Sequence, residues 1–143
     1  MLFRSGVVLG RVDRLGALAQ RTLKVGSVIG RVFTWSALKQ TLEEVEGPGS
    51  AGDLPPALAQ LERAGLLEAT TEGGEPVWTF RSALVQEVVY NLMPSDQRRE
   101  LHHAVAEWFE SRASAMQAAE LAVQYFVAGD EAERSLSNRS NLP

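Results

Sequence analysis

Cysteine is absent, which excludes a disulfide scaffold and any thiolate metal site and fits a reducing compartment. No apolar run is longer than a few residues, so no segment reads as a membrane span. Six prolines and twelve glycines among 143 residues are too few for a disordered chain. No charged-then-apolar leader with a small-residue cleavage site is recognisable, and a cytoplasmic location is expected. What is present suits one domain, or one small domain with an appendage: 45% of residues are apolar and 22% charged, with a net charge of −4. That mean conceals a polarity along the chain. Residues 1–40 carry seven bases and one acid, residues 41–80 eight acids and one base, and residues 81–143 six bases and nine acids.

Helical periodicity dominates. Val8, Leu9, Val12 and Leu15 recur at helical spacing, and Gly16 interrupts them. Leu18, Thr22, Val25 and Ile29 continue the spacing on a second helix that stops at Gly30. Arg31-Val32-Phe33 reads as a short extended link, after which Thr34 caps a third helix with Trp35, Leu38 and Leu42 on one face. Residues 43–52 are expected to form a loop around Gly47-Pro48-Gly49-Ser50. Asp53 is placed to cap a fourth helix, with Pro55-Pro56 in its first turn, Leu54, Leu58 and Leu61 as its stripe and Gly65 just past its end.

The period then changes. Residues 66–71 and 77–80 read as two strands, joined by Glu72-Gly73-Gly74-Glu75-Pro76. Ser82 caps a helix bearing Leu84, Val85, Val88 and Leu92 that ends at Pro94. Ser95-Asp96 opens a helix carrying Leu101, Ala104, Val105, Trp108 and Phe109. A last helix carries Ala119, Ala122, Val123 and Phe126 on one face and Leu121 and Tyr125 on another, a pattern for a helix between neighbours that is expected to end at Gly129-Asp130. The fold class predicted is mostly α: a winged-helix domain over residues 7–93 with a two-stranded β-hairpin wing, an antiparallel helix pair of helical-repeat type over 94–130, and a polar, frayed tail over 131–143.

A series of segments gives this order a family likeness: Val12-Asp13-Arg14-Leu15, Val25-Gly26-Ser27-Val28-Ile29-Gly30-Arg31-Val32-Phe33, Leu61-Glu62-Arg63-Ala64-Gly65-Leu66-Leu67, Phe80-Arg81-Ser82-Ala83-Leu84-Val85-Gln86-Glu87-Val88-Val89-Tyr90 and Arg98-Arg99-Glu100-Leu101-His102. Over residues 7–130 the chain resembles the region that follows the nucleotide-binding module in STAND-type predicted ATPases, of the kind fused to bacterial class III adenylate/guanylate cyclase domains. The Phe-Arg-x-Ala-Leu-Val-Gln-Glu block is its most specific part. The resemblance implies a switch in which an ATPase core binds ATP or ADP with Mg, the winged helix packs on that core, and tetratricopeptide-like repeats sense a ligand or protein. It implies partners within the parent protein, the core and the repeats, together with other proteins; nucleic acid and membrane are not expected as partners, on the charge of the chain and the length of its apolar runs. Arg81 and Ser82 are the residues it points to as the contact with the nucleotide-binding core. The family usually has histidine where Ser82 stands, and in related switch ATPases that histidine touches bound ADP; serine can cap a helix and bond a phosphate, but its charge does not switch with pH. The polar tail also departs from the further repeat that the family would supply. Met1-Leu2-Phe3-Arg4-Ser5 resembles a translated sequencing-adapter end, so the chain is expected to be a fragment.

No cofactor of its own and no catalytic constellation is expected. The chain has no G-x-x-x-x-G-K-[ST] phosphate loop and no G-x-S-x-G elbow, and Gly26-x-x-x-Gly30 lacks both the lysine and the hydroxyl. Glu43-Glu44 falls in the expected loop, a poor place to hold a general acid. Glu100, His103 and Glu107 share a helical face, but zinc wants three or four converging ligands, and a solvated face is the plainer reading. Arg11, Arg14, Arg21 and Lys24 invite a nucleic-acid reading, and the alternative function is a winged-helix DNA-binding regulator. Against it, residues 56–64, in the recognition-helix position, offer only Gln60 and Arg63 beside Glu62, and the wing carries Glu68, Glu72 and Glu75. The basic surface is otherwise expected to meet the acidic one of residues 41–80, or the core. Trp35, Trp78, Phe80, Tyr90, Trp108, Phe109, Tyr125 and Phe126 are read as core packing.

Overall fold

The computed structural model describes the backbone of residues 2–140 and the burial of side chains 6–123 and 126. In chain order it forms α1 (Leu2–Asp13), α2 (Ala17–Ile29), β1 (Val32–Thr34), α3 (Trp35–Glu46), α4 (Leu54–Arg63), β2 (Leu67–Glu72), β3 (Glu75–Phe80), α5 (Ala83–Leu92) and α6 (Ser95–Ser140). Contacts divide the chain into two units, Met1–Trp108 and Phe109–Pro143. The division falls later than the 93/94 boundary read from the sequence, because Leu101 and Val105 near the start of α6 are buried in the core of the first unit. Among the described residues no helix is long and apolar enough to cross a membrane.

The first unit is mostly helical, with a small antiparallel sheet, and the succession α2-β1-α3-α4-β2-β3 is that of a winged helix. The wing has three strands rather than the two expected. Their order is β1-β3-β2, and the supposed link at 31–33 supplies the third: Val32 pairs with Thr79, Phe33 with Trp78 and Thr34 with Val77. A strand of three residues has no room to show alternation, so its sequence signal is nearly nil. What holds it is Phe33, which is buried on α2 with its ring centroid 6.2 Å from Trp78 and 5.8 Å from Phe80. The ring lies directly on Gly26: a Cβ there would stand 2.7 Å from the ring.

The turn between β2 and β3 is tighter than expected. Glu72 pairs with Glu75 across Gly73-Gly74, whose φ angles of 58° and 77° give the hairpin its left-handed turn. Pro76 lies in β3 opposite Thr71. Its missing N–H falls on the side that β1 does not reach, since pairing with β1 begins at Val77, so no ladder bond is lost.

Two of the three expected caps form. Thr34 Oγ1 accepts from the Ala37 N–H at 3.1 Å, and Ser82 Oγ from the Val85 N–H at 3.2 Å. Asp53 makes no capping bond to α4. A cap accepts from the second or third helical N–H, and here those residues are Pro55 and Pro56, which have none. At the other end of α4 the Gly65 N–H bonds Glu62 O and the Leu66 N–H bonds Leu61 O, the paired closure that a glycine at φ 73° permits. Helix α3 runs on through Glu43 and Glu44 to Glu46, where a loop was expected, and stops at Gly47. Glutamate is a good helix former, and nothing before the glycine breaks the turn.

The expected antiparallel helix pair is replaced by one helix, α6. Residues 110–118 contain neither proline nor glycine, and Gly129 alone does not stop the helix, which runs through the tail to Ser140. Residues 141–143 of that tail and the side chain of Tyr125 lie outside the described residues. Trp78 and Phe80 are core residues as read from sequence, but Phe109 and Phe126 are not: they are 50% and 79% exposed.

Gly26→Ala is predicted to lower stability by about 1–2 kcal/mol, overpacking against Phe33 outweighing up to about 1 kcal/mol of helix propensity. The urea midpoint of the variant measures this. By the same measurement Ser82→Ala and Thr34→Ala each cost about 1 kcal/mol, and Asp53→Ala much less.

Candidate functional site

Arg81 and Ser82 occupy the junction between β3 and α5, and the backbone there is held from two sides. The Phe80 N–H donates to Arg31 O at 2.9 Å and the Arg81 N–H to Leu66 O at 3.0 Å. Ser82 is extended, with φ −144° and ψ 152°, and its hydroxyl oxygen caps α5. Accepting that bond leaves the hydroxyl proton available to an acceptor in front of the helix.

The two residues border a cleft of about 470 Å³ whose walls also include Val7, Val8 and Arg11 of α1, Gly65 after α4, and Leu84 and Val85 of α5. Arg11 is the residue that the sequence reading did not assign here. Its guanidinium donates to Ala64 O, a carbonyl at the C-terminal end of α4 that the helix itself leaves over. Gly65 lies under the same guanidinium, and a Cβ there would come within 3.2 Å of Arg11 Nη2. The cleft therefore sets one guanidinium anchored to a helix end and one exposed, that of Arg81, against an apolar edge in which Val7 is 63% exposed. Such a surface suits an acidic, partly apolar protein face better than a small ligand, since the walls are open and the charge is of one sign. The sequence signal for Arg11 was only its place on the helical face of Val7 and Val8, four and three residues before it.

The other sequence candidates disperse. Arg21 Nε lies 2.7 Å from Glu46 Oε1, which joins the basic α2 to the acidic α3, while Arg11 faces the cleft. The four bases read as a patch thus include two with partners inside the unit. His103 Nε2 sits 3.1 Å from Glu107 Oε1, one turn along α6. His102 Nε2 instead meets the Tyr90 hydroxyl at 2.9 Å, with the Arg98 guanidinium 5.2 Å from the centre of the Tyr90 ring. Among the described residues no three His, Cys, Asp or Glu side chains are gathered as a metal would need.

Arg11→Ala is predicted to cost about 1 kcal/mol of stability, the value of one charge-assisted bond at an exposed helix end. Chemical denaturation read by tryptophan fluorescence checks it.

Comparison with known proteins found no matching family model, no matching curated protein and no matching solved structure.

Proposed function

We propose that the chain is a non-catalytic regulatory and interaction module of a multidomain signal-transduction ATPase of the STAND type, relaying nucleotide state between an ATPase core and C-terminal helical repeats in the cytoplasm. The observation that carries the reading is the cleft at the β3–α5 junction, where Arg81 and Ser82 stand beside Arg11 on an open, half-apolar surface. ATP or ADP and Mg belong to the core. This chain has no phosphate loop to cradle a triphosphate, and its contribution is the surface that docks. The apolar edge supplies burial and the two guanidinium groups supply register against an acidic face. Docking that favours the ADP-bound core turns nucleotide exchange into a rigid-body movement of the winged helix. The exposed Met116, Leu121, Val123 and Phe126 of α6 support the repeat assignment, because a helix in a repeat array buries such residues against its neighbours.

The winged-helix topology favours a DNA-binding regulator, and the bases of α1 and α2 add to it, although Arg11 and Arg21 have partners inside the unit. The charge on α4 and the wing opposes it, because Glu62, Glu68 and Glu72 are exposed there.

With the ATPase core supplied as a separate polypeptide, the ADP-loaded form is predicted to retain this chain and the ATP-loaded form to release it. Arg81→Glu should weaken retention by about tenfold. Equal binding to both forms, turnover by the isolated chain, or duplex binding that falls steeply with salt in a gel shift would each overturn the reading.

A further inference from the structure

Strand β2 is paired on one side only, because the sheet order β1-β3-β2 leaves its other edge open. The hydrogen bonds at the foot of the hairpin fix which groups lie on that edge. The Arg81 N–H donates to Leu66 O at 3.0 Å, and the Phe80 N–H turns away to Arg31 O. Leu66 and Arg81 are therefore a hydrogen-bonded pair of the antiparallel ladder. The register carries that phase along the strand, so Glu68, Thr70 and Glu72 bond to β3. Leu67, Ala69 and Thr71 direct their N–H and C=O groups outward. Residues 68–72 are all exposed, and among the described residues no other strand pairs with this edge.

An open edge is commonly blunted by proline, lysine or a bulge. Strand β2 has neither proline nor lysine, and its register against β3 runs unbroken from Leu67 to Glu72. What it carries is charge of one sign. Glu68 and Glu72 stand on one face of the strand with Thr70 between them. Neither is in a salt bridge among the described residues, and residues 67–80 contain no base.

We infer that this edge takes up an extended peptide segment bearing two basic residues four positions apart, added as a fourth strand of the wing. The outward N–H and C=O groups of Ala69 and Thr71 supply the backbone bonds, which any extended chain can meet. The carboxylates supply the choice of partner. Glu68 and Glu72 are four residues apart, so a strand laid alongside in either direction sets the residues opposite them four apart as well. The position opposite Thr70 suits a β-branched residue. A second copy of this chain is a poor occupant: pairing two β2 strands about Thr70 sets each Glu68 opposite a Glu72, which is repulsive. Duplex DNA is repelled by the same carboxylates, and a helical occupant has spent its backbone groups on itself. The edge is not part of the Arg81 cleft, so this inference stands or falls independently of the ATPase reading.

The test uses the full chain labelled with 15N. The probe is the peptide Thr-Lys-Thr-Val-Thr-Lys-Thr, which reads the same in both directions. One control replaces its lysines with glutamate, and another is N-methylated at every internal amide. On adding the lysine peptide, the Ala69 and Thr71 amide resonances are expected to move downfield and their hydrogen exchange to slow. The Thr70 amide, already bonded to β3, should move less. Both controls should bind at least about tenfold more weakly. Joint Glu68→Lys and Glu72→Lys substitution, on exposed side chains, should reverse the preference to the glutamate peptide. Ala69→Pro removes an outward N–H and no ladder bond, and should weaken the lysine peptide by about tenfold. The inference is overturned if the Ala69 and Thr71 amides are unmoved by saturating lysine peptide. It is equally overturned if the methylated peptide binds as well, or if the doubly substituted chain still prefers lysine. The same shifts produced by concentrating the chain alone, or by duplex DNA, would overturn it by naming a different occupant.

Discussion

The contact of Phe33 with Gly26 is the constraint on which the first unit rests. A side chain at position 26 would hold α2 away from β1, since the ring already occupies the place of its Cβ. Because the ring sits there, β1 lies close enough to α2 to be buried at Phe33, and β3 can be the central strand of the sheet. The cluster of Phe33, Trp78 and Phe80 then ties the sheet to the helices from the other side. Dispersion over such a close-packed surface is lost steeply with separation, so the arrangement is held at one spacing rather than a range of them.

Both concave surfaces follow from that placement. The end of β3 is fixed by backbone bonds from Phe80 to Arg31 and from Arg81 to Leu66, which delivers Arg81 and Ser82 to the start of α5 at a set angle. The start of β3 places Pro76 and Trp78 on the wall of a second concavity whose other walls are Trp35 of α3 and Pro55, Leu58 and Glu62 of α4. One strand therefore carries a basic, half-apolar surface at one end and an aromatic, acid-edged surface at the other.

Much of the helical framework was legible because its signals are local. Thr34 and Ser82 cap where their residue type and the following apolar spacing place them, and Gly65 closes α4 as a left-handed glycine should. The failures are of two kinds. Asp53 was the right residue type before a helix, but its expected donors are prolines, so a rule read one residue at a time missed a conflict two residues on. Strand β1 and the span of α6 depend on information that a window does not hold: three residues are too few to alternate, and the absence of a breaker in residues 110–118 outweighed a change in apolar spacing. The site divides in the same way. Arg81 and Ser82 were singled out by a local motif of the resemblance, and in the structure they border one cleft with Arg11, which reaches it from a helix at the far end of the unit's sequence. Trp78 was read correctly as core, yet its unsatisfied nitrogen shows only in three dimensions.

The junction at Arg81 is held by the fold itself, through backbone bonds on the strand that the Phe33–Gly26 contact places. Native-state hydrogen exchange of the Phe80 and Arg81 amides tests it most directly, because each is bonded across the junction and exchanges only when that bond opens. Both amides are expected to exchange with the same opening free energy as that of Leu23 in the core, through global unfolding. Exchange of Phe80 and Arg81 at a much lower free energy, with Leu23 still protected, would contradict it.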